Sequence, residues 1–270
     1  LHTQPGDELI ADESSHIYNF ESGGTAAISG VQCRPVHTEE GLLSVGQIEK
    51  AIQSPILPRA RTGLICLENT HNRGGGAIYS MDTLQVIKKL SDNRSIPLHM
   101  DGARVFNASV ASDVPVAEIA RNADTLSFCL SKGLGAPFGS LIAGPKPLIE
   151  EARRVRQMLG GGMRQAGIFA AAGLYAMGNH VERLAEDHAK AKILAEGIAA
   201  IPNIDLPFGI TPTNIVVFDI AKSGRKAKEL SEALKKRGVL VSMLGGTRFR
   251  ALTHLDVSEK EIKKAITAIE

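Results

Sequence analysis

Lys132 sits in the stretch SFCLSKGLGAPFGS (127–140), where small and apolar residues precede it and Gly133, Gly135 and Gly139 follow. The run reads as buried strand and tight turn, and it offers the ammonium group no salt partner. Asp101 stands 31 positions earlier, directly after the apolar run that ends at Met100, with Arg104 just beyond it. Asn69 and His71 follow a third apolar run, 63–67. Groups that follow the strands of a parallel sheet gather at its carboxyl edge. Two chemistries suit a lysine and a carboxylate at such a dry edge. One is a structural ion pair. The other is covalent: the lysine forms a Schiff base with the aldehyde of pyridoxal phosphate, and the carboxylate binds the protonated pyridine nitrogen. Desolvation favours the neutral amine that attacks an aldehyde, so the second reading explains why a lysine is buried there.

The elements that must deliver these groups alternate in type. GLICLE (63–68), IPLHM (96–100) and DTLSFCL (124–130) are strand-like, and MDTLQVIKKLSDN (81–93) and VAEIARNA (116–123) carry helical spacing between them. SLIAG (140–144) follows too closely for a crossover helix, so it is expected antiparallel to its predecessor. This order predicts an α/β domain with a mostly parallel sheet over residues 1–177. From 178 onward a long helix with Val181, Leu184, His188, Ala191, Ala195 and Ile198 on one face introduces a smaller α/β unit, 178–270. NIVVFDI, VLVSML and RFRALTHL read there as strands, and KAKELSEALKKRG and SEKEIKKAITAIE as helices, the last capped by Ser258. His188 is expected to be a packed core histidine.

Composition narrows the function classes. Of 270 residues, 43% are hydrophobic and 22% charged, which suits a soluble globular protein with one large core or two. A net charge of +2, dispersed basic residues and 4% aromatics argue against nucleic acid. No apolar run approaches the roughly 20 residues of a membrane span. Cys66 and Cys129 fall in apolar runs and are expected to be reduced core residues in a cytoplasmic protein. The chain enters a strand-like segment within a few residues of Leu1, without an initiator Met or a targeting pattern, which reads as the later part of a longer protein.

HMDGARVFNA (99–108), SFCLSKGLGAPFGS (127–140), MLGGGMRQAG (158–167) and LENTHN (67–72) together resemble the L-threonine aldolase family. These are pyridoxal-phosphate enzymes of the beta-eliminating lyase group, with the aspartate aminotransferase fold type I. RLAEDHAKA (183–191) and RFRALTHLDVS (248–258) carry the resemblance into the smaller unit. It implies that Lys132 is the Schiff-base lysine, that Asp101 pairs with the pyridine nitrogen, and that His16 stacks on the cofactor ring and is a candidate base. It implies further that Arg104 lies near both cofactor and substrate, that Arg250 takes the substrate carboxylate, and that Arg164 approaches the phosphate, in this chain or a neighbouring one. No metal is implied.

The activity implied is retro-aldol cleavage of L-threonine or L-allo-threonine to glycine and acetaldehyde, by a cytoplasmic homodimer or homotetramer. The family's Ser/Thr-Gly-Thr phosphate turn has no counterpart in the chain. Pro58 and Gln157 stand where many members carry histidine and lysine respectively. Another fold-type-I lyase and a catalytically incomplete fragment remain the alternative readings. A nicotinamide enzyme is disfavoured, because the glycines at 133, 135 and 139 lead into a strand, where a dinucleotide fingerprint opens a helix.

Overall fold

The computed structural model describes residues 1–54, 56–210 and 212–270. Among the described residues the larger sheet is built from β1 (Glu8–Asp12), β2 (Gln32–Val36), β3 (Thr62–Glu68), β4 (Leu98–Asp101), β5 (Thr125–Cys129) and β6 (Ser140–Ala143). Their spatial order is β2-β1-β3-β4-β5-β6. Every neighbouring pair is parallel except β5–β6, which is antiparallel as the short connection requires. Helices Val45–Ala51, Met81–Arg94 and the pair Val105–Ser112 and Val116–Ala120 fill the crossovers that parallel strands need.

β3 is buried along its whole length, so its two faces feed two separate cores. Ile65 and Leu67 join Ile10, Leu98, Met100 and Leu126 on one side. Leu64 and Cys66 pack with Leu9 and Ala11 on the other. The helices start where their side chains can satisfy free amides. Ser80 accepts from the Thr83 amide, and Ser44 and Gln47 form a reciprocal capping box.

A second, antiparallel sheet holds β7 (Ile215–Asp219), β8 (Ser242–Gly245) and β9 (Arg248–Leu252) in the order β7-β9-β8. Helices Leu184–Ala199 and Glu259–Ile269 cover it, and the second begins with a capping box between Ser258 and Glu261. A Cβ at Gly197 would come within 2.4 Å of Ile266, so glycine there lets the two helices close. In β9, Phe249 and Ala251 enter this core while Arg250 between them points away, toward the larger sheet. The helix begins at Leu184, so Val181 precedes it rather than sharing its face. His188 is half-buried and hydrogen-bonded through Nε2 to Asn107 at 3.0 Å, which places it as a packing residue.

Candidate active site

The carboxyl ends of β1, β3, β4 and β5 open into one cavity of about 380 Å³. His16, Asp101, Arg104, Lys132 and Arg250 all line it, so five of the six sequence-predicted residues converge. Arg164 does not: it is exposed in the turn beyond helix Lys146–Met158 and lies outside the lining. Lys132 departs from expectation in one respect. It is half-buried rather than sealed in, because the turn that follows β5 lifts it to the cavity wall. The same residue and Arg104 border a second cavity of about 440 Å³, on whose far wall lie Thr253, His254 and Asp256.

The loop carrying Lys132 is held by its own backbone. The Leu130 amide donates to Gly139 at 2.8 Å, the Ala136 amide to Leu130 at 3.0 Å and the Gly135 amide to Lys132 at 2.9 Å. His180 Nδ1–H donates to the Leu134 carbonyl at 2.6 Å and fixes the turn from outside. Gly135 has φ +72°, a region that favours glycine. At Gly102, between Asp101 and Ala103, a Cβ would stand 2.5 Å from Leu126 and 3.0 Å from the Ser127 carbonyl. Glycine is needed there so that the loop after β4 can lie against β5. Asp101 Oδ1 in turn accepts the Ala103 amide at 3.1 Å.

The segment after β3 corrects the sequence reading. Asn69 and His71 were expected at the cavity, but both are fully buried in the core. Their neighbours Thr70 and Asn72 line the cavity instead, because successive side chains alternate sides where the chain leaves the strand. His71 Nδ1 accepts the Gly74 amide at 3.0 Å, so its proton is on Nε2, 3.3 Å from Asp12 Oδ1. Burial pushes the Asp12 carboxyl up, but His71, Ser14 and Thr38 outweigh it and hold it at about 2. Cys129 is a second correction: it is half-buried and lines the cavity, whereas Cys66 is a core residue whose thiol burial pushes well up. Cys33, Cys66 and Cys129 are all free.

The cavity sets Arg104, Lys132 and Arg250 among the carboxylates of Glu21, Glu68 and Asp101. Desolvation lowers the Arg104 guanidinium to about 10, and the nearby Arg250 adds to the effect. Arg250 is lowered by desolvation and then by Arg73. Among the described residues no carboxylate lies within 4.0 Å of either guanidinium, and the Nε atoms of both are buried without a partner. Glu68 and Asp101 act on Arg104 from beyond ion-pair distance, so the guanidiniums keep donor positions free for an anionic group of a ligand. Arg250 is aimed by one bond, from Nη1 to Asn72 Oδ1 at 2.6 Å. His16 Nδ1–H donates to Glu21 at 2.6 Å, so in the neutral ring the lone pair is on Nε2.

His99 shares a strand face with Asp101, and its Nδ1 lies 2.8 Å from Thr125 Oγ1. Burial outweighs the adjacent Asp101 carboxylate and lowers the ring from 6.5 to about 4. Between those values the unfolded chain binds a proton that the folded chain refuses. The stability contribution is therefore complete above pH 6.5 and is lost as pH falls through 4. The full loss is about 3 kcal/mol, of which about 2 kcal/mol has gone at pH 5. Urea unfolding of the protein and of His99→Gln at pH 7 and pH 5 checks this. The variant should lose clearly less stability on acidification, and equal losses would refute the assignment.

Residues 1–223 match the family model described as beta-eliminating lyase. A protein of Arabidopsis thaliana named probable low-specificity L-threonine aldolase 2 is 41% identical over 269 residues, covering 98% of this chain and 76% of its own. The threonine aldolase structure from Leishmania major superposes with a TM-score of 0.84 at 22% identity, over 99% of this chain and 78% of that one. A Thermus thermophilus aspartate aminotransferase mutant gives 0.71 at 17% identity, over 99% and 74% of the respective chains. The two structures share the fold, which is the one that the resemblance implied, and its mostly parallel sheet is what the alternation of elements predicted.

Proposed function

The chain belongs to the beta-eliminating lyase family, and on that premise we propose that it is a pyridoxal-phosphate lyase that cleaves L-threonine and L-allo-threonine to glycine and acetaldehyde. The observation that carries this reading is the content of one cavity. A lysine amine, a carboxylate and two carboxylate-free guanidiniums meet at the ends of adjacent parallel strands. That donor set fits a group with an aldehyde, a basic ring nitrogen and an anionic partner. Bound there, the cofactor supplies an electron sink for the carbon that loses its Cβ substituent.

The residues have separable tasks. Lys132 would hold the group's aldehyde carbon through Nζ, and Asp101 would keep its ring nitrogen protonated. Its carboxylate is oriented for this by the Ala103 amide. Arg250, aimed by Asn72, and Arg104 grip the substrate carboxylate, and a planar guanidinium can do so through two parallel hydrogen bonds. Their desolvation makes that grip stronger than it would be in water. His16, on the cavity wall, would cover the cofactor ring. Its Nε2 lone pair, set by Glu21, suits it to accept the β-hydroxyl proton, a role that a second histidine or a water could also fill.

Arg164 is read as a contact from one copy of the chain to the phosphate held by another. Support comes from the exposed Met158, Leu159, Ile168 and Leu174 around it, an apolar surface that suits a dimer or tetramer. The division into a cofactor-holding part, 1–177, and a smaller part, 178–270, belongs to the same reading and is supported by the two separate sheets. So does a cytoplasmic setting, which suits three free cysteines and a role in forming glycine from threonine. Among the described residues no helix is long and apolar enough to cross a membrane.

Purified protein mixed with pyridoxal phosphate should turn yellow and release glycine and acetaldehyde in equal amounts from L-threonine. Release of a keto acid would instead favour another lyase of the same fold. A protein that stays colourless with added cofactor would favour an incomplete fragment.

A further inference from the structure

Glu68, the last residue of β3, is only 6% exposed, yet it carries a carboxylate. Burying that group is costly unless its oxygens are satisfied, and both are. Oε2 accepts the backbone amide of His16 at 2.6 Å, and Oε1 accepts the backbone amide of Asn72 at 2.8 Å. The Asn72 side chain continues the line, since its Oδ1 accepts Arg250 Nη1 at 2.6 Å. One carboxylate thus ties the segment that carries the ring-covering histidine to the loop that aims the carboxylate-binding arginine. The line runs from the larger sheet across to β9 of the smaller one. Glu68 also faces the cavity, beside Asp101 in the strand register, and lies 3.9 Å from His71 Nε2.

From this geometry we infer that Glu68 is a positioning residue, coupling the placement of His16 to that of Arg250 through Asn72. The inference rests on the lyase reading for its kinetic consequence but not for the hydrogen-bond line itself. An amide in place of the carboxylate has one accepting oxygen, and its NH2 would face the other backbone N–H. Glu68→Gln therefore releases one of the two segments. Asn72→Ala leaves both amides bound to Glu68 but lets Arg250 go. Each variant is expected to raise KM for L-threonine ~10-fold, the scale of one hydrogen bond to a charged group, while the yellow colour of the holoenzyme persists.

The double variant separates positioning from general loosening. Because both changes break one line, Glu68→Gln with Asn72→Ala together should cost about the same ~10-fold, whereas independent effects would multiply to ~100-fold and overturn the inference. A KM within about twofold of the parent in Glu68→Gln overturns it as well. In the cofactor-free protein, amide hydrogen exchange at His16 or Asn72 should speed up in Glu68→Gln, and unchanged exchange at both sites refutes the line. That measurement decides the role of Glu68 even if the parent protein proves unable to cleave threonine. Should Glu68→Gln fail to fold, Glu68→Asp, which keeps the charge but shortens the reach to both amides, decides: faster amide exchange at His16 or Asn72 with a KM raised ~10-fold supports the coupling, and an unchanged KM and exchange overturn it.

Discussion

Lys132→Ala is expected to lower threonine cleavage by about 10³-fold or more, because a group that acts as a unit with its neighbours takes most of the rate with it. The same variant should lose the covalent label. Borohydride treatment of the parent protein with pyridoxal phosphate should leave the reduced cofactor on the peptide that contains Lys132, and on no peptide of the variant. The loop around Lys132 is built from backbone hydrogen bonds and from His180, none of which uses the lysine side chain. The variant should therefore fold normally, and the loss will read chemistry rather than stability. Mass spectrometry of the reduced, digested protein checks the label. A label on another lysine, with cleavage intact in Lys132→Ala, would dismiss the assignment.

Asp101→Asn tests the other end of the site and isolates charge from shape. Asp101 Oδ1 accepts the Ala103 amide, a bond that the carbonyl oxygen of asparagine can also accept, so the loop after β4 keeps its anchor. What the variant loses is the negative charge that, on the proposed reading, would hold a proton on the pyridine nitrogen. Removing one partner of an enclosed ion pair costs about 3–5 kcal/mol, which converts to a fall in kcat of about 150- to 5,000-fold. KM should change little, because Arg104 and Arg250, the residues proposed to take the carboxylate, are untouched. This split between kcat and KM is the diagnostic feature. A kcat within about tenfold of the parent would mean that Asp101 serves only as a structural group, the plainer of the two readings that its position after an apolar strand first allowed.

Both variants concern residues that could be picked out before any coordinates. Strands β3, β4 and β5, the helices Met81–Arg94 and Val116–Ala120 and the antiparallel return of β6 were legible in period and spacing, whereas β2 and helix Val45–Ala51 were not read from the sequence. The Asp-Gly-Ala-Arg and Ser-Lys-Gly-Leu strings were legible too, and the reason for one of their glycines is now physical: a side chain at Gly102 would collide with β5. Arg250 needed the resemblance, because an arginine in the middle of a strand usually faces solvent.

The rest was decided in three dimensions. LENTHN was recognisable as a motif, but the sequence assigned its Asn69 and His71 to the cavity and passed over Thr70, Asn72 and Glu68. Which of two alternating neighbours faces the ligand depends on how the chain turns as it leaves β3, and that turn is set by what packs beneath it. His71 is drawn inward by Asp12 from another strand. Glu68 owes its two amide partners to a segment 52 residues away and to the loop that follows it. Lys132, expected to be sealed, is raised to the cavity wall by a turn whose anchor, His180, lies far along the chain. Local pattern and motif thus determined most of the central elements, the family and the pair of residues proposed to react. Tertiary packing decided which side chains face the cavity and what holds them there, because facing and hydrogen bonding depend on partners distant in sequence.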